Sequence, residues 1–124
     1  MTIYPSLRYR DARAAIDWLA EAYDFVEMQA HAGEDGIIHH AELSGFGGIV
    51  MVGTEPEGGD PLWGTHAGQS WLYLSTDNPD ALHDRALAAG AEIVRELQDT
   101  DYGSREFSSR DLEGNVWSFG TYAP

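Results

Sequence analysis

An internal repeat constrains this chain more than any other feature in it. Residues 3–10 read as a strand, Asp11 as a helix cap, and 12–23 as a helix with Ile16, Leu19, Ala20 and Tyr23 on one face. Short strands follow at about 26–31, 37–43 and 48–52, separated by the glycine-rich turns AGEDG and SGFGG. After a Gly/Pro-rich connector the same order returns. SWLYLST, residues 70–76, is a strand, and Asp77-Asn78-Pro79 opens a helix over 81–89 that Gly90 stops. Strands follow at about 92–97, 104–110 and 116–121. Asp11 and Asp77 lie 66 residues apart, and the same shift sets Gly48 of GGIVMVG on Gly114 of EGNVWSFG. The chain therefore reads as a single domain, 1–124: a βαβββ module over about 1–53, a connector over 54–69, and a second βαβββ module over 70–124.

This order predicts an α+β fold. Each module forms a four-stranded sheet with its helix on one face, and the two sheets curl into a mixed sheet around a central cavity. Alternation at period two then sorts the side chains. On the first strand it turns Ile3, Leu7 and Tyr9 to the helix, and Tyr4, Ser6 and Arg8 to the cavity. On the fifth it turns Trp71 and Tyr73 to the helix, and Ser70, Leu72 and Leu74 inward. On the last, Trp117 and Phe119 pack on the helix while Val116 and Ser118 face the cavity. A small hydroxyl in mid-strand is thereby explained: Ser118 belongs to the hollow.

Charge narrows the partners. The 124 residues carry 21 Asp and Glu against 7 Arg and no Lys, a formal net charge of -14. Such a surface repels nucleic acid and suits a cationic ligand. No cysteine is present, which excludes disulfides, thiolate metal sites and a cysteine nucleophile. No run of about 18 apolar residues occurs, so no membrane span is expected. A cytoplasmic protein is the expectation.

The segments YPSLRYRDARAAIDWLAEAYDF, SWLYLSTDNPDALHDRALAAGAEI and YGSREFSSRDLEGNVWSFG resemble the vicinal oxygen chelate superfamily. That is the family of glyoxalase I, extradiol dioxygenases and bleomycin-resistance proteins. The last segment, a Gly-x-Arg-x-Phe strand leading into Asp-x-x-Gly-Asn, is similar to the C-terminal hairpin of bleomycin-resistance-like members. The resemblance implies paired βαβββ units and, in the family's enzymes, a divalent ion held by His and Glu from the first, fourth, fifth and eighth strands. Here those positions match Tyr4, about Val52, Ser70 and Ser118, none of them His, Asp or Glu. A Tyr and two Ser are poor ligands at neutral pH, and Val is none. No metal and no cofactor are therefore expected.

Other chemistry is sparse. His39 and His40 are adjacent, so on a strand they point to opposite faces. His40 and Glu42 share a face and form a possible ligand pair without a third donor. His31 and His83 read as surface, and His66 lies in the connector. No Ser-His-Asp spacing, phosphate loop or His-Glu-x-x-His helix occurs.

The resemblance implies a metal-free small-molecule binding protein of the bleomycin-resistance type, sequestering its ligand in a cavity or dimer groove; the net charge of -14, with Trp63 and Tyr102 in glycine-adjacent segments, points to a flat, cationic ligand. Its candidate contacts are Tyr4, His40, Trp63, Ser70, Tyr102, Arg105, Phe107 and Ser118. Trp63 reads either as a lid over the core or as an aromatic wall. Arg105 reads as an ion-pair tie of the last hairpin or as a ligand contact. A homodimer is expected, because two half-barrels leave edges and apolar rim to cover. The rival is a metal-dependent lyase, isomerase or dioxygenase using His40 and Glu42.

Overall fold

A computed structural model of the chain describes residues 1–58 and 67–124. The first module runs β1 (Ser6–Tyr9), α1 (Ala12–Tyr23), β2 (Val26–Ala32), β3 (Ile38–Gly45) and β4 (Gly48–Thr54). The second runs β5 (Trp71–Ser75), α2 (Pro79–Ala88), β6 (Glu92–Asp99), β7 (Arg105–Arg110) and β8 (Val116–Gly120). Each makes a mixed four-stranded sheet, ordered β1-β4-β3-β2 and β5-β8-β7-β6, with the first strand parallel to the fourth. The α+β architecture of two like modules is as the repeat predicts. No helix among the described residues is long and apolar enough to cross a membrane.

The caps follow from the sequence. Asp11 accepts a hydrogen bond from the Ala14 amide, and Asn78 accepts one from Ala81, each satisfying an orphan donor of its helix. Pro79 opens α2 where its missing N–H costs nothing. These matched caps lie 67 residues apart, not 66. The repeat distance drifts along the chain, because the span from cap to stop is one residue shorter for α2. It returns to 67 at the last strand, where Ala41↔Val52 of the first sheet corresponds to Phe107↔Phe119 of the second. There the hairpins differ. Phe46-Gly47, both at positive φ, closes β3–β4 in two residues, whereas β7–β8 uses the longer turn from Asp111 to Asn115.

One core serves both modules. Tyr23 and Phe25, at the end of α1, pack on Trp117 of β8 at ring distances of 5.5 and 5.6 Å, and Tyr23 and Phe46 reach Phe119 at 4.9 and 5.4 Å. Polar ties accompany them. The Tyr9 hydroxyl donates to Asp111 Oδ2 (2.5 Å), Trp18 Nε1 donates to the Ala89 carbonyl (3.0 Å), and Tyr23 bonds Ser109 (2.7 Å).

Several side chains depart from the expected parity. Ile3 precedes β1 and is 89% exposed rather than facing the helix. Trp71, 74% exposed, and Tyr73 stand on the open face of their sheet, while Leu72 and Leu74 pack against the core. Both faces of this strand are apolar, so alternation does not orient it. The one-residue drift likewise makes Val52 a core residue and Met51 its outward neighbour. His83 is buried rather than on the surface, its ring edge-on to Phe107 at 5.3 Å. The two sheets do not close around one chamber, and each module carries a separate recess on its open face.

Candidate ligand-binding recess

The open face of the second sheet holds a recess of about 410 Å³, within the range of small-molecule sites. It is built from alternate residues of adjoining strands. Register pairs Tyr73 with Ser118, Ser108 with Ser118, and Glu106 with Gly120. Trp71 and Tyr73 of β5, Tyr102 and Tyr122 form aromatic walls; Arg95, Glu106, Ser108, Ser118 and Pro124 complete the lining. Trp71 Nε1 donates to Ser118 Oγ at 2.8 Å, and Ser118 Oγ lies 2.7 Å from Ser108 Oγ. Ser118 thus faces the open side of its own sheet rather than a chamber shared by both modules, and it fixes an indole ring there.

Glu106 is the unusual member, only 7% exposed. Its Oε1 accepts from the Tyr102 hydroxyl at 2.6 Å, which raises the Tyr102 phenol above its ordinary value. Tyr73 is raised as well, first by burial and then by the Glu106 charge, and its hydroxyl donates to the Tyr122 carbonyl at 2.7 Å. Gly120 makes room for this pair. A Cβ there would sit 2.5 Å from Glu106 Cγ and 2.7 Å from the Tyr73 oxygen.

The first sheet's open face differs. Its recess, about 240 Å³, is lined by Tyr4, Glu42, Ile49 and Met51. Here the polar groups satisfy one another. His40 Nε2 meets Glu42 Oε2 at 3.0 Å, Gln29 Nε2 donates to Glu42 Oε1 at 2.8 Å, and the His31 and His40 rings stack across β2 and β3. The His40 and Gln29 hydrogen bonds hold the Glu42 carboxyl below its ordinary value.

The residues singled out from sequence scatter. Tyr102 and Ser118 line the second recess, and Tyr4 lines the first. His40 stands beside that first recess through its bond to Glu42. Ser70 precedes β5, where its amide donates to Asn115 Oδ1 at 2.9 Å. Arg105 reaches over the helix face to Asp80 (2.7 and 3.1 Å) and Asp99 (3.2 Å). Phe107 is fully buried, stacked on Phe119 at 5.2 Å. Trp63 lies outside the described residues. Sequence reading missed Trp71, Tyr73, Arg95 and Glu106. For Glu106 the signal was available, since it shares the parity of Ser108 across the hairpin from Ser118.

A divalent ion does not suit this donor set. The strand positions that would hold it present Ser6 and Arg8 on β1, Met51 on β4, Trp71 and Tyr73 on β5, and Ser118 on β8. None is imidazole or carboxylate. Among the described residues no three His, Cys, Asp or Glu converge in a way that could hold a metal.

Comparison with known proteins agrees with this architecture. The family model described as the Glyoxalase/Bleomycin resistance protein/Dioxygenase superfamily matches residues 3–119. An uncharacterised protein of Mycobacterium bovis is 36% identical over 121 residues, covering 94% of this chain and 80% of its own length. The crystal structure of TioX from Micromonospora sp. ML1 superposes with a TM-score of 0.80 at 34% identity, covering 98% of this chain and 100% of that one. TnmS3, an antibiotic binding protein from Streptomyces sp. CB03234, shares the fold with a TM-score of 0.73 at 20% identity, covering 96% and 94% of the two chains. With its paired βαβββ modules and a family match spanning both of them, this chain belongs to the glyoxalase/bleomycin resistance protein/dioxygenase superfamily.

Proposed function

We propose that this chain is a metal-independent binding protein that sequesters a small molecule in the recess of its second module, in the manner of bleomycin-type resistance proteins. The observation that carries the reading is the substitution of walls for ligands. At the fifth and eighth strands, where the family's enzymes place metal donors, this chain has Tyr73 and a Trp71 indole hydrogen-bonded to Ser118. Exposed aromatic walls favour a flat ligand, which they grip by stacking worth roughly 0.5–1.5 kcal/mol per ring beyond area burial. TnmS3 supports the reading in one respect: its fold, shared here, carries antibiotic binding. The alternative metal enzyme would rest on His40 and Glu42, which have no third His, Cys, Asp or Glu converging with them among the described residues.

The protein is further proposed to act as a homodimer. Trp71, Met28 and Tyr4 are large apolar side chains left half or more open to solvent, and a second copy would cover part of that surface. A monomer mass in light scattering at tens of micromolar would overturn this part.

Two measurements test the rest. A thermal-shift series with bleomycin and other basic aromatic compounds is expected to give saturable stabilisation that chelator leaves unchanged. The response should weaken about tenfold in Trp71→Ala, corresponding to about 1.4 kcal/mol. Metal analysis of untagged protein checks the other half. A stoichiometric divalent ion that disappears in His40→Ala would replace this reading with the enzymatic one.

A further inference from the structure

We infer that the second-module recess takes a protonated amine or amidinium borne on a flat ring, with Glu106 Oε2 as the atom that holds the cation. The inference rests on the binding-protein reading and names the ligand's chemistry.

The argument begins with an imbalance in hydrogen bonding. Glu106 is more than nine-tenths buried, yet only Oε1 has a partner among the described residues, the Tyr102 hydroxyl. Oε2 accepts from none of them. No fully buried side-chain polar atom of the described residues lacks a partner, so Oε2 keeps access to solvent, and the recess is the space that Glu106 lines. A carboxylate so enclosed is costly unless a donor or a positive charge completes it.

The neighbours do not complete it. Tyr73 lies against Glu106, which helps to raise its phenol, but its one hydroxyl proton goes to the Tyr122 carbonyl at 2.7 Å. Arg95, the cation of the lining, turns to the Gln98 side-chain amide and makes no ion pair with Glu106. Arg105, one residue away on the opposite face, is bound to Asp80 and Asp99. The missing partner is therefore a hydrogen-bond donor entering from the recess.

The walls select its form. Trp71, Tyr73 and Tyr102 line the same recess as the carboxylate, and aromatic rings attract a cation by their quadrupole. A charge-assisted bond to Glu106 and cation–π contact with the walls both favour nitrogen carrying positive charge. An anionic ligand would find Arg95 but would have to approach Glu106 in the same small volume. The net charge of -14 acts in the same direction at longer range.

The test uses three probes with one ring: 1-naphthylmethylamine, 1-naphthylmethanol and 1-naphthoate, titrated calorimetrically into the full chain at low salt. The amine is expected to bind at least about tenfold more tightly than the alcohol, and naphthoate most weakly. Glu106→Gln should bring the amine down to the level of the alcohol. Trp71→Ala should weaken both amine and alcohol, the amine somewhat more because it also loses cation–π contact, and should leave the amine the tighter of the two. Tyr102→Phe, which frees Oε1 for the ligand, should keep or widen the ratio, and this arm stands if Glu106→Gln does not fold. Equal binding of all three probes would overturn the inference while leaving the binding-protein reading in place. Naphthoate binding most tightly would overturn it and pass the site to Arg95. An amine preference unchanged in folded Glu106→Gln would overturn it as well. Saturation by none of the three would remove both readings.

Discussion

The two modules share a scaffold and differ on their open faces. Position by position, His40 corresponds to Glu106, Glu42 to Ser108, Met51 to Ser118, and Gly53 to Gly120. In the first module the polar groups at these places bond one another and Gln29. In the second, the carboxylate stands deeper, among aromatic rings, with one oxygen unclaimed by any described residue. The difference teaches that a repeated fold supplies equivalent positions and no equivalent chemistry. A face whose polar groups are mutually satisfied has little to offer a ligand, whereas one that leaves a buried group incomplete is prepared for one.

The hairpins differ in the same sense, and here the largest effect is expected. Asp111 accepts from Tyr9, Trp117 Nε1, Asn115 Nδ2 and the amides of Glu113 and Asn115, all within 3.1 Å. Asp111→Ala strips partners from several buried donors at once and should cost about 3–5 kcal/mol in urea unfolding. Gly47→Ala in the backbone-held turn of the first module, at φ 75°, should cost only about 1 kcal/mol. Equal losses would erase the contrast between the two turns.

Alkaline titration sharpens the same point. Burial raises the phenols of Tyr9 and Tyr23, and Asp111 adds to the effect for both. A folded value above the unfolded one means stability that is complete below the ordinary phenol value of 10.0 and is lost as pH climbs beyond it. Absorbance near 295 nm should show these two tyrosines ionising together with unfolding. Free titration of both in folded protein would refute their burial against the second module.

Substituting the equivalent glycines separates stability from binding. A Cβ at Gly53 would meet the His39 carbonyl oxygen at 2.8 Å and Arg8 Nη1 at 2.9 Å; at Gly120 it would meet Glu106 and Tyr73. Gly53→Ala and Gly120→Ala should each cost about 1–3 kcal/mol. Only Gly120→Ala should also weaken ligand binding, as calorimetry would reveal. Parallel losses of affinity would place the site elsewhere.

The smallest effect is expected at Glu42. Its folded carboxyl is held below the ordinary value, so the contribution is present above that value and fades as pH falls through it. Because the group is exposed to solvent, Glu42→Gln should flatten the acid limb of the stability profile only slightly. A large change would mean that the first face is more tightly organised than its hydrogen bonds imply.

How much of this was legible in the chain depends on whether a signal was local. Asp11, Pro79 and Gly90 mark helix ends through their own backbone chemistry, and the βαβββ order followed from them. The facing of β5 was not legible, because Trp71-Leu72-Tyr73-Leu74 is apolar on both sides and period two then has nothing to sort. A fixed shift of 66 put Val52 opposite Ser118, whereas the two hairpin turns differ in length and change the parity. Glu106 stands between Arg105 and Phe107, which point to the other face of the same strand. Its burial depends on Tyr102, Tyr73 and Gly120, which converge only after the sheet has formed.

The bond from Tyr9 to Asp111 spans 102 positions of sequence. During synthesis the first strand is made long before the turn that receives its hydroxyl, and the rings at the end of α1 likewise wait for Trp117 and Phe119. The amino-terminal half therefore cannot complete its interior while it is the only part translated. It must either remain partly solvated or be shielded until β8 arrives, and contacts this distant in sequence make for slow, all-at-once folding. Half of this molecule, expressed alone, would be an open face with no complement.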